Sequence, residues 1–137
     1  MRLLLRPTTR ADLHAVARLE RSGDSARWLA TTGLAWHRAA LADPAVDHRV
    51  ALLDDRLAGF LVLAEAPRSS LELRRLVVRP ALRGSGVGGA LVRACVAVAR
   101  HRGLRRVFLD VADGNTTARN LYAALGFTEV ALPQRYV

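Results

Sequence analysis

The stretch Leu76-Val77-Val78-Arg79-Pro80-Ala81-Leu82-Arg83-Gly84-Ser85-Gly86-Val87-Gly88-Gly89-Ala90 decides how this chain folds. It opens as an apolar strand and is cut by a proline, which cannot donate to a strand ladder. It then passes through a glycine-rich turn into the long apolar run Ala90 to Arg102, which ends at Gly103, a natural helix C-cap. Four glycines between positions 84 and 89, just before a helix, have a physical use. Without side chains in the way, backbone N–H groups close around a phosphate, and the helix N-terminus adds partial positive charge.

Three phosphate-binding readings compete. A nucleoside-triphosphate loop needs Lys followed by Ser or Thr after the last glycine; Gly89 is followed by Ala90, and the chain contains no lysine. A dinucleotide site is matched by the spacing of Gly84, Gly86 and Gly89, with Asp110 downstream at the end of a strand. Against it, Arg79 to Arg83 separate the strand from the glycines, and only 27 residues follow Asp110, too few for a second nucleotide-binding half. The third reading takes in the whole stretch and rests on a family resemblance given below.

Upstream, residues 2–6 read as a strand. Thr8 and Thr9 offer caps for a helix reaching about Ser22, and a second helix is expected from Ala26 to Ala42. Arg49 to Leu53, the turn Asp54-Asp55-Arg56, and Leu57 to Ala64 form a hairpin. The next strand, Leu71 to Val78, alternates cleanly through Leu73-Arg74, slips at Arg75 and resumes at Leu76. Such a slip predicts a β-bulge near Arg74 and Arg75, bending this strand from its neighbour. Downstream, Arg106 to Ala112 is a strand, Thr116 to Leu125 a helix ending at Gly126, and Phe127 to Leu132 a last strand. The expected order is β-α-α-β-β-β-α-β-α-β, an α/β domain over residues 1–137 with a mixed sheet and helices on both faces.

The balance of 21 basic against 12 acidic residues gives +9. All the basic residues are arginine and isoleucine is absent, as G and C codon bias produces. The arginines are scattered, so nucleic acid is not the expected partner, although a basic surface gathers polyanions. Cys95, the single cysteine, falls in an apolar helical run and reads as buried and inert. The four histidines lack metal-ligand spacing, so no metal is expected. No apolar run approaches the ~18 residues of a membrane span, and a cytoplasmic location is expected.

Leu76-Val77-Val78-Arg79-Pro80 followed by Arg83-Gly84-Ser85-Gly86-Val87-Gly88 resembles the signature of the GNAT N-acetyltransferase superfamily. That signature is a strand ending in valine and proline, then Gln/Arg-x-x-Gly-x-Gly/Ala at a helix start. A second family motif is similar to Asn115, Ala118, Leu121-Tyr122 and Leu125-Gly126-Phe127, and Leu5-Arg6-Pro7-Thr8 with Ala11-Asp12-Leu13 resembles the family opening. The resemblance implies the GNAT fold and acetyl transfer from acetyl-coenzyme A to a small-molecule or peptide amine in a ternary complex. The alternative is a GNAT-like module that binds coenzyme A without catalysis.

The resemblance also implies roles. The amides of Gly84, Ser85, Gly86, Val87, Gly88 and Gly89 would hold the pyrophosphate with Arg83, and Leu76, Val77 and Val78 would pair with the pantetheine arm through their backbone. Tyr122 would protonate the departing thiolate, or merely pack its helix. Asn115 would contact the coenzyme arm, or merely cap the helix. Glu72 or Asp110 would serve as base, or pair with an arginine. The family's usual final strand is short or missing here, which leaves an open sheet edge and leans towards a homodimer. Trp36 reads as core and Trp28 as facing the acceptor.

Overall fold

The computed structural model describes residues 2–22 and 33–130. β1 (Leu3–Pro7) is followed by a 3-10 turn at Arg10–Asp12, α1 (Leu13–Arg21) and α2 (Leu34–Ala42). Then come β2 (Val46–Leu53), β3 (Arg56–Ala66), β4 (Ser70–Val78), α3 (Val87–His101), β5 (Arg106–Phe108) and α4 (Thr116–Ala124). The five strands lie in the order β1-β2-β3-β4-β5. The first four are antiparallel, and β5 joins β4 in parallel.

Each element has a local cause. Thr9 and Asp12 form a capping box ahead of α1, with Thr9 N–H donating to Asp12 Oδ2 at 2.7 Å. The β2–β3 hairpin turns through Asp54 and Asp55, both left-handed (φ 50° and 65°), as a tight two-residue hairpin requires. β3 is apolar along nearly its whole length because both its faces are covered. Leu61 and Leu63 face α3 with Leu71, Leu73, Leu91 and Cys95. Phe60 and Val62 face α1 with Val16, Leu19, Val50 and Val77. Full burial of each such Leu, Val or Phe contributes about 1.5–3 kcal/mol.

The bulge expected near Arg74 and Arg75 is present. Val62 pairs with Arg75 and Leu63 with Leu73, so Arg74 is the extra residue. Leu71, Leu73, Leu76 and Val78 therefore stay on the α3 side despite the uneven spacing. β4 also parts from β5 there, since their pairing runs only from Ser70/Arg106 to Glu72/Phe108.

Four expectations need correction. The strand from Arg106 to Ala112 stops at Phe108, because the bulge carries β4 away and leaves residues 109–112 without a ladder. Phe127 to Val130 are not a strand, and the rest of that expected element lies outside the described residues. α2 starts at Leu34, because Gly33 sits at φ 103°, outside helical geometry; the earlier part of the expected helix, with Trp28, is likewise outside them. Finally, α3 begins at Val87 rather than Ala90, drawing Gly88 and Gly89 into its first turn.

Candidate functional site

Where β4 and β5 diverge, the open edge of β4 and the chain after β5 form the walls of a cleft of about 580 Å³. The start of α3 closes one end, and the start of α4 lies along the side. Gly84 and Gly86 line it with left-handed backbones (φ 77° and 93°), and a Cβ built on either meets nothing within 4 Å. Open space in front of both glycines fits a bulky anion.

The first i→i−4 bond of α3 is Ala90 N–H to the Gly86 carbonyl, at 3.0 Å. The amides of Val87, Gly88 and Gly89 therefore precede the helical ladder and present unpaired donors at the positive end of α3. Arg83, Gly88 and Gly89 line the cleft as well. Ser85 and Val87 direct their side chains elsewhere: the Ser85 hydroxyl donates to the Leu82 carbonyl, and Val87 is core.

Along the strand wall, Leu76, Val77 and Val78 all border the cleft. Arg79 N–H donates to the Ala58 carbonyl at 2.7 Å, on the β3 side. Because N–H groups alternate along a strand, Leu76 and Val78 turn theirs to the open edge. An extended ligand arm finds a half-used ladder there.

Tyr122 stands on α4 in the cleft wall, with its ring edge-on to Phe127 at 5.5 Å. Burial pushes its phenol up to about 12, aided by nearby Cys95. Cys95 itself is wholly buried, and burial lifts its thiol to about 11, so it is inert as a nucleophile at neutral pH. Asn115 lines the cleft and caps α4, its side-chain oxygen accepting from Ala118 N–H at 3.2 Å. The cap is therefore observed, and the same residue borders the cleft.

The two base candidates part company. Asp110 lines the cleft. Glu72 does not; it pairs with Arg74, Oε1 to Nε at 2.9 Å, beside the last β4–β5 pairing. Residues given no site role from the sequence also line the cleft, among them Arg74, Arg75, Thr116 and Thr117. The arginines carried a signal, since they sit at the phase slip. The threonines follow Asn115 in the first turn of α4. No group of three or more His, Cys, Asp or Glu residues suited to a metal occurs among the described residues. None of their helices is long and apolar enough to cross a membrane.

Comparison with known proteins places the chain in a family. Residues 12–127 match the model of the acetyltransferase (GNAT) family. The chain belongs to that family. It is 33% identical over 93 residues to an uncharacterized N-acetyltransferase of Mycobacterium tuberculosis (strain ATCC 25618 / H37Rv), covering 65% of this chain and 60% of that one. It is 37% identical over 79 residues to N-alpha-acetyltransferase RimI of the same strain, covering 58% and 48%. The chain thus spans about three fifths or less of the length of these curated relatives. Among solved structures, the PaiA N-acetyltransferase of Thermoplasma acidophilum in complex with coenzyme A superposes with a TM-score of 0.78 at 16% identity, covering 98% of this chain and 94% of that one. That likeness concerns the fold, and this GNAT domain shares its mixed sheet.

Proposed function

We propose that this GNAT domain is an acetyltransferase that passes an acetyl group from acetyl-coenzyme A directly to an amine. The observation that carries the proposal is the single cleft in which the left-handed glycines and open first turn of α3 meet the unpaired edge of β4, with Tyr122 and Asp110 in its walls. Each part has one task. The amides at Gly84 to Gly89 and Arg83 hold the pyrophosphate through fixed dipoles and charge. The outward N–H groups of Leu76 and Val78 hold the pantetheine amides, and the Val78 N–H polarises the thioester carbonyl as its oxygen gains charge. Asp110, inside the cleft, takes the proton from the attacking amine, in preference to Glu72, which is occupied by Arg74. Tyr122 returns a proton to the departing sulfur. As the amine nitrogen bonds to the acyl carbon, the carbon–sulfur bond breaks, and one proton leaves nitrogen while one reaches sulfur.

Calorimetry with acetyl-coenzyme A on the native chain and on Gly86→Asp tests the cradle. A carboxylate there should abolish binding, and undiminished binding would refute it. Thiol release against a panel of amines tests the activity. Binding without release on any amine would establish the non-catalytic module instead.

A further inference from the structure

α3 carries no acidic residue, and two arginines, Arg93 and Arg100, stand exposed beside one shallow groove on its outer side. Other arginines are held by carboxylates: Arg6 by Asp12, Arg49 and Arg102 by Asp47, Arg74 by Glu72 and Arg119 by Glu129. Arg93 has no hydrogen bond or ion pair among the described residues. Its guanidinium nonetheless has a definite place. A Cβ built on Gly89 would meet Arg93 Nη1 at 3.3 Å, Nη2 at 3.8 Å and Cζ at 3.9 Å. Helical side chains lean towards the helix N-terminus. Arg93 follows that lean and lies back over the first turn, across the bare face of Gly89.

The fold alone does not reward that placement. The first turn is the positive end of α3, where a further cation is disfavoured. An anion over the same turn reverses the sign, because guanidinium, helix end and open amides then attract it together. Position selects which anion. Gly89 lines the cleft, whereas Arg93 borders only the groove outside it. Arg93 therefore stands on the outer rim, beyond the glycines and Arg83 that face the pyrophosphate. Coenzyme A carries one anionic group besides its pyrophosphate: the monoester phosphate on the ribose 3′ oxygen, at the end remote from the thiol. With the pantetheine arm running inwards along β4, that phosphate is the group left outside the cleft.

We propose that Arg93 reads the ribose 3′-phosphate and so makes this chain selective for the phosphorylated coenzyme. This rests on the reading of the cleft as a coenzyme A site. A guanidinium fork offers parallel N–H donors to two oxygens of a phosphate monoester, with charge on both partners. The 3′-dephospho form keeps the pyrophosphate and the pantetheine arm. It supplies the cradle and β4 with everything they bind and gives Arg93 nothing.

The test is calorimetry at one fixed ionic strength with coenzyme A and 3′-dephospho-coenzyme A, on the native chain, Arg93→Met and Arg100→Met. Arg100→Met removes the same charge seven positions further along the helix and controls for the general field; melting temperatures record that each variant is folded. The native chain is expected to bind coenzyme A about tenfold or more tightly than the dephospho form. Arg93→Met should bring the two ligands within about threefold by weakening coenzyme A alone, and Arg100→Met should keep the native ratio. Equal weakening of both ligands in Arg93→Met, or no change in either, would overturn the assignment. A native chain that does not discriminate would overturn it too, as would an Arg100→Met variant that loses the discrimination equally. A native chain that binds neither ligand would instead overturn the coenzyme A reading, and the assignment with it.

Discussion

Replacing Tyr122 by Phe isolates one proton. Among the described residues the phenol has no hydrogen-bond partner, and its ring packs on Phe127 and the α3-side core. Removing the oxygen should therefore shift stability by less than about 0.5 kcal/mol. The catalytic effect follows from the acidities. A phenol at about 12 facing a free thiol near 8.5 would give up its proton uphill by ~5 kcal/mol. The same apolar cluster, however, raises the Cys95 thiol to about 11. A sulfur leaving into the partly apolar cleft is desolvated in the same direction, which narrows that gap towards what a general acid can supply. Tyr122→Phe should then lower kcat by about 10²-fold with KM for acetyl-coenzyme A within about twofold, measured by thiol release. An acid must carry its proton, so activity is retained below the phenol pKa. Native kcat should show no Tyr122-linked fall between about pH 7 and about pH 10. A kcat for Tyr122→Phe within about threefold of native would refute the acid role and leave packing alone.

Asp110→Asn should cut kcat by about 10²-fold or more, whereas Glu72→Gln should stay within about threefold; steady-state kinetics of both decide the base. Gly59→Ala would place a Cβ 2.4 Å from the Val77 carbonyl oxygen, so a loss of about 1–3 kcal/mol is expected on urea denaturation, with weaker coenzyme A binding because the strand that must shift carries the ligand edge. Burial, then the neighbouring His37, lowers His48 from 6.5 to about 4. The unfolded chain therefore binds more protons in that window, and stability should fall as pH drops from 6.5 towards 4, by at most about 3 kcal/mol. His48→Gln should remove that slope in denaturation followed against pH.

The cleft was legible where its signal is local. The glycines at 84–89 announce a cradle by composition, and Leu73 to Leu76 announce the bulge because an apolar residue recurs after three positions rather than two. The bulge in turn shortens β5, a consequence invisible in Val107-Phe108-Leu109, which reads as an ordinary strand. The early start of α3 was hidden because Gly88 and Gly89 favour loops. A Cβ built on Gly88 would meet Leu121 at 3.6 Å and Val78 at 3.7 Å, ordinary contact distances, so the helix runs through this glycine where α3 meets α4 and β4 without a steric demand for it. Glu20 and Arg75 lie 55 positions apart and read singly as surface charges; only the folded sheet brings them together. Glu72 looked apt because it sits on the right strand, but its side chain answers to Arg74.

The three-residue seam between β4 and β5 has a thermodynamic consequence. α4 buries none of its side chains fully, and its side of the sheet is stitched to the rest by that short ladder. Local opening should thus begin there, with amide hydrogens of β5 and α4 exchanging well before those of β2 and β3. A ligand lodged between the halves would act as mortar, touching Val78 on one bank and Asn115 on the other. At a hundred times its dissociation constant it would add about 2.7 kcal/mol to the folded state, slowing exchange most in the half that is loosest alone.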